Sequence, residues 1–265
     1  MTDFVLTNEN YFSPEAQMRY MSASQYKDFE KCEAMALAKI SGFWQDEPTK
    51  ALLVGSYVDA YFSNEMNDFV AKNPGLFNSR TGALKAEYVQ AERIIARIED
   101  DPVMMEHLRG DKQCILTGEI EGVPVRIKMD AYLPGVRISD QKVMSSMEPV
   151  YQSGEGLVPF WKAWGYDKSM AIYQYIEAQN SKKDKLPCYL VVATKQEPCD
   201  KDVIELDQQY LDSALTEIKA NIVYYDLIRK GKVEPQRCGK CAYCRATKKV
   251  KAPVKASVLD EAILL

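Results

Sequence analysis

A chain of 265 residues suits one large domain, or one domain with appendages, and can bury a substantial core. Its 46% hydrophobic and 27% charged residues match an ordinary soluble globular protein, and no apolar run approaches the roughly 18 residues of a membrane span. The net charge of −4 argues against a general DNA-coating role. An acidic protein can still grip nucleic acid through a local basic cluster such as Arg245–Lys255, although a solvated tail is the plainer reading of that stretch. The N-terminus shows no basic segment followed by an apolar one, so no secretory signal is expected. The seven cysteines then read as thiols or metal ligands rather than disulfides. The single histidine, His107, sits among helix formers without an evident partner and reads as a packing or surface residue. Acid–base or metal chemistry must therefore rest on carboxylates, lysine and cysteine.

Along the chain, residues 1–21 read as an irregular lead-in. Ser22 and Gln25 have capping-box spacing and open an amphipathic helix to about Ile40, with Tyr26, Phe29 and Leu37 on its apolar stripe. Lys50 to Phe62 form a second, apolar helix. The Pro/Gly/Asn-rich stretch 73–82 reads as a loop, and Leu84 to Ile98 as another amphipathic helix. From Cys114 the pattern turns to strands: Ile115–Ile120, a Glu-Gly turn, Val123–Leu133, and Val136–Val143 after Pro134-Gly135. A helix follows over roughly Pro159–Gln179, then strands over Leu186–Thr194 and Val203–Leu206, then a helix over Asp207–Lys230 with Asp207 as its cap. This order predicts an α/β fold, a central mixed sheet flanked by helices, in a single domain. Within it, a helical part (about 22–110) precedes the sheet and its helices (about 114–230) and a Cys-rich tail (about 231–265).

Side chains alternate along a strand, so Asp140 and Lys142 project to one side, and Asp130 lies near the end of the preceding strand. Two carboxylates and one ammonium at one sheet edge can hold a divalent cation through oxygen ligands and steady a nucleophilic water. The plainer readings are a solvated strand face with a weak surface ion pair for Asp140 and Lys142, and a turn-initiating residue for Asp130. Val136 and Ile138 share the face of Asp140 and Lys142, which aims the pair toward the core.

Asp130 and the run Asp140-Gln141-Lys142 resemble the PD-(D/E)xK nuclease motif, and three further segments resemble the same superfamily in order. The segment Gly55 to Asp59 is similar to the helical Gly-x-x-x-His of RecB-type nucleases, with Asp59 where many relatives carry a metal-binding histidine. Glu119 stands where the first strand often bears an acidic residue. The segment Ser169 to Tyr173 is similar to the Gln-x-x-x-Tyr helix that lines the DNA cleft, with Ser169 at the glutamine position. Taken together, the chain resembles the RecE-like, exodeoxyribonuclease VIII-type nucleases of phages and prophages. That resemblance implies a restriction-endonuclease-like core and Mg²⁺- or Mn²⁺-dependent exonucleolytic hydrolysis of linear duplex DNA in recombination or repair. It implies Asp130 and Asp140 as metal ligands aided by Asp59, the Gln141 carbonyl and Glu119, Lys142 at the attacking water, and Ser169 and Tyr173 against DNA. It further implies duplex DNA ends and a single-strand annealing protein as partners, a homo-oligomer, no membrane association, and the cytoplasm of a bacterial host. Ser169 leaves room for a catalytically idle DNA-binding or assembly module.

Cys238, Cys241 and Cys244 have C-x2-C-x2-C spacing, which packing does not explain, and Lys248 stands where a ferredoxin run would place a fourth cysteine. Cys32 is the candidate fourth ligand. This layout resembles RecB-type nucleases in which one N-terminal cysteine and a C-terminal trio bind a [4Fe–4S] cluster; four-thiolate Zn²⁺ and free thiols are the rival readings. A zinc-ribbon interaction factor is a further reading of the tail. Cys114, Cys188 and Cys199 read as packing residues.

Overall fold

Three antiparallel strands form one half of the main sheet: β1 (Asp111–Ile120), β2 (Val123–Leu133) and β3 (Arg137–Met144). The computed structural model describes residues 4–47, 49–250, 252–253 and 255–256. Glu121 and Gly122, both at positive φ (49° and 74°), make the two-residue turn between β1 and β2, where Ile120 pairs with Val123. At the next turn Pro134 presets φ, Gly135 takes φ 74°, and the Val136 N–H closes onto the Leu133 carbonyl at 2.9 Å. A hairpin of β4 (Val150–Gln152) and β5 (Gly156–Val158) stands apart from this sheet. Then β6 (Cys188–Thr194) pairs parallel to β3 over its whole length, and β7 (Lys201–Glu205) pairs antiparallel to β6, giving the order β1-β2-β3-β6-β7.

Alternation along β6 explains the layers. Cys188, Leu190 and Val192 enter one core, Val191 and Ala193 the other, and all five are 0% exposed. A strand covered on both faces reads as a continuous apolar run, and each fully buried Val or Leu contributes roughly 1.5–3 kcal/mol. One core is built with α2 (Ala23–Lys31), α3 (Glu33–Ile40), α9 (Tyr166–Ser181) and α10 (Gln208–Arg229). The other is built with α4 (Lys50–Phe62), α6 (Ala86–Glu99) and α7 (Pro102–His107). Short helices α1 (Pro14–Arg19), α5 (Met66–Lys72), α8 (Phe160–Ala163) and α11 (Ala242–Ala246) complete the fold.

The structure revises several sequence expectations. The lead-in contains α1, started by Ser13 accepting from the Ala16 N–H. The Ser22/Gln25 capping box forms, but the helix expected to run to Ile40 breaks at Cys32 (φ −170°, ψ 109°), which ends α2 and begins α3. The helix expected over 159–179 breaks at Gly165, whose φ of 63° is left-handed. Asp207 occupies the N-cap of α10 without a side-chain cap hydrogen bond, and Val136 is 50% exposed rather than core-facing. Residues 257–265 of the expected tail, and Lys251 and Val254 of the basic cluster, lie outside the described residues.

Candidate active site

The edge of β2 that faces β3 is shared. Residues 131–133 pair with β3, while 124–126 bond to Met21: the Met21 N–H donates to the Pro124 carbonyl at 2.8 Å and the Arg126 N–H to the Met21 carbonyl at 2.9 Å. Between these stretches the strands part, and Asp130 sits at the split. Its Oδ2 accepts the Gln141 N–H at 2.9 Å, so a carboxylate takes the place of the missing backbone acceptor. On the other side of β2, Gln113 (φ 50°) interrupts the β1 ladder opposite Asp130.

Asp140 is 2% exposed, and the Lys142 ammonium forms an ion pair with it. The same ammonium lies 3.9 Å from Asp130 Oδ2 and donates to the Gln141 carbonyl at 2.9 Å. One cation thus touches or approaches three oxygens. From the other wall, α4, which packs against β3, brings Asp59 one turn after Gly55. Asp59, Asp130, Gln141, Lys142, Trp164 and Tyr166 line an open cleft of about 660 Å³.

The charges in this cleft perturb one another. Burial, reinforced by Asp140, holds the Asp130 carboxyl well above the usual range. Burial also raises Asp59, against the pull of Lys142. For Lys142, burial works to lower the pKa, but Asp140 and Asp130 outweigh it and the net shift is upward, so the amine stays protonated at neutral pH. Two carboxylates and a backbone carbonyl form a hard-oxygen set suited to Mg²⁺ or Mn²⁺, and they already accept a positive charge.

Other expected residues are placed differently. Tyr173 reaches the neighbourhood, where burial and then Asp140 and Asp130 raise its pKa. Ser169 is 6% exposed and donates to the Gly165 carbonyl at 3.3 Å, a local helix contact. Glu119 is exposed and pairs with Pro124, six residues and roughly 20 Å along β2 from Asp130, too far to share an ion. Three neighbours had no signal in the sequence reading. Tyr11 packs beneath Arg126 and Lys128, whose charged groups lie 4.6 and 5.5 Å from its ring. Lys27 and Lys142 both approach the Tyr166 ring, at 5.6 and 5.7 Å.

A second cluster lies at the α2–α3 break. The extended backbone at Cys32 turns its thiol toward the tail, and the sulfurs of Cys32, Cys238, Cys241 and Cys244 lie within 4.8 Å of one another. Cys244 Sγ is 3.6 Å from Cys32 Sγ and 3.9 Å from Cys238 Sγ. Backbone N–H groups of Cys241 and Lys240 point at Cys238 Sγ (3.3 and 3.4 Å) and push its pKa down to about 6. The set is compatible with a metal site. Cys188 is buried in the main core, as expected of a packing residue, whereas Cys114 and Cys199 are half-buried.

Over residues 22–247 the chain matches the family described as a PDDEXK-like domain of unknown function (DUF3799), and it belongs to that family. It is similar to the crystal structure of a "putative exonuclease" from Eubacterium rectale, with 43% identity and a TM-score of 0.92 over 97% of this chain and 98% of that one. The crystal structure of SSO0001 aligns over 86% of this chain and 96% of its own at 12% identity, and its TM-score of 0.30 adds nothing. No curated protein matches the chain. The fold observed, a five-stranded mixed sheet flanked by helices, is the PD-(D/E)xK nuclease fold that the motifs implied.

Proposed function

We propose that the protein is a divalent-metal-dependent exonuclease acting on the ends of linear duplex DNA. The observation that carries this reading is the Lys142 ammonium among the oxygens of Asp130, Asp140 and Gln141, at the wall of an open cleft. Those oxygens, with Asp59 opposite, would hold Mg²⁺ or Mn²⁺, which supplies Lewis-acid polarisation of a phosphate and a more acidic bound water. Asp130 must ionise to serve, and the Gln141 N–H keeps its carboxylate oriented. Lys142 would orient the attacking water and, as an ammonium, offset charge developing on the phosphate. The similarity to the Eubacterium rectale protein supports exonucleolytic action, and the RecE-like resemblance supports a recombination role beside an annealing protein in a bacterial cytoplasm, as a homo-oligomer. Among the described residues no helix is long and apolar enough to cross a membrane.

The decisive experiment compares linear and covalently closed duplex DNA with Mn²⁺, Mg²⁺ and EDTA. Linear DNA is expected to shorten to nucleotides, the circle to survive, and EDTA to stop the reaction. Nicking of the circle would replace the exonuclease by an endonuclease, and inertness toward linear DNA with either ion would refute the reading.

The four cysteines are proposed to hold one tetrahedral ion, Zn²⁺, in place of the [4Fe–4S] cluster the resemblance implies. Zn–S bonds of about 2.3 Å place tetrahedral sulfurs ~3.8 Å apart, which agrees with the 3.6 and 3.9 Å separations. A four-iron cubane, with one cysteine on each iron, spreads its ligands farther.

A further inference from the structure

Trp164 is 49% exposed and lines both the catalytic cleft and an adjoining cavity of about 570 Å³. Lys27 stands on the wall of that second cavity. Its aliphatic stem crosses Gly165 so closely that an added Cβ there would lie 2.8 Å from Lys27 Cδ, and its ammonium lies 5.6 Å from the centre of the Tyr166 ring. The Lys142 ammonium sits 5.7 Å from the centre of the same ring. The two amines differ in their partners. Lys142 is engaged by Asp140, with Asp130 close by, and Lys168, another cation of the second cavity, is engaged by Glu30 and Glu217. The Asp167 carboxylate accepts the Lys168 N–H at 2.9 Å. Among the described residues Lys27 makes no ion pair, although it is half-buried. Burial, then the nearby Lys142, lower its pKa to about 8. A half-buried ammonium without a counter-ion costs free energy that a bound anion recovers.

We propose that Lys27 binds the DNA-backbone phosphate adjacent to the scissile one, where the strand passes over Trp164 from the catalytic cleft into the second cavity. The exposed indole offers that nucleotide a stacking surface, and the ammonium answers its charge. The inference rests on the nuclease reading and deepens it by naming a contact outside the metal pocket.

The test uses Lys27→Met and Lys27→Arg beside the unmodified protein, with their Tm values measured to establish folding. On a short duplex with saturating Mn²⁺, K27M is expected to raise KM about tenfold while kcat stays within about threefold, and K27R to recover most of the loss. A neutral methylphosphonate placed next to the scissile linkage should weaken the unmodified protein about tenfold and cost K27M nothing further. In Ca²⁺, the salt dependence of DNA binding should be shallower for K27M by about one phosphate contact. Unchanged kinetics in K27M, or equal sensitivity of both proteins to every methylphosphonate, would overturn the proposal. If the unmodified protein cleaves nothing, the nuclease reading fails, while the salt slope still decides whether Lys27 meets a phosphate.

Discussion

Replacing Lys142 by methionine keeps the side chain's bulk and removes its charge. A divalent ion entering the pocket must displace the ammonium from Asp140, from the Gln141 carbonyl at 2.9 Å and from the field of Asp130 at 3.9 Å. Once Asp130 is ionised, one charge pair at that last distance is worth about 4 kcal/mol at an effective dielectric of ~20. The side chains of Lys142 and Asp130 keep 26% and 19% exposure, and a displaced ammonium regains hydration. The net penalty on the ion is then about 1–3 kcal/mol, or roughly 5- to 150-fold in affinity. K142M should accordingly bind Mn²⁺ more tightly by about that factor, and yet hydrolyse DNA at least about a hundredfold more slowly for want of the cation at the phosphate. Titration of free Mn²⁺ by electron paramagnetic resonance, with single-turnover cleavage in parallel, measures both. Equal or weaker Mn²⁺ binding by K142M would show that ammonium and metal do not compete, and undiminished cleavage would remove Lys142 from the chemistry.

The raised pKa of Asp130 sets a pH dependence for stability. Between the ordinary carboxylate value of 3.8 and the raised one, the folded protein holds a proton that the unfolded chain has released, so metal-free stability falls as pH rises through that window. Mg²⁺ needs the ionised form, so the Tm increase it confers should grow as pH rises through that window; an increment that stays constant across the whole pH range in which the protein is folded would contradict the assignment of Asp130 as a ligand. At the second cluster, Cys32→Ser should remove one bound zinc per chain, read by elemental analysis. Loss of that site should lower Tm, by about 2–4 °C for each kcal/mol of stability it supplied. Iron with labile sulfide in the unmodified protein would refute the single-ion proposal.

Much of the architecture was legible because it is written in local patterns. The boundaries of β2 follow from a Glu-Gly turn and Pro134-Gly135, and the Ser22/Gln25 cap formed as its spacing required. The convergence of Asp130, Asp140 and Lys142 followed from strand alternation and one tight turn. What escaped reading depends on tertiary partners. Nothing in the run Lys31-Cys32-Glu33 announces a helix break: the extended backbone at Cys32 goes with a thiol turned to sulfurs more than 200 residues away, and the Ala34 N–H bonds to the Gln236 carbonyl. Glu119 shares a strand pair with the site but stands at its far end, a matter of register along β2 rather than residue type. Lys27 and Tyr11 lie in segments whose sequence shows only an amphipathic helix and an irregular start; their relation to the cleft arises when α2 packs on α9 and the lead-in bonds to Pro124 and Arg126.

The proposed metal cross-link through the cysteines would also order events in time. Cys32 cannot meet its three partners until residue 244 has emerged from the ribosome, by which point every strand of the main sheet has been made. The helix carrying Lys27 ends at that cysteine, so the sulfur contacts at its C-terminal end can form only after the acidic pocket's own residues have been made. A polypeptide that stops short of residue 244 therefore lacks the sulfur cluster at the C-terminal end of the Lys27 helix until synthesis is nearly complete.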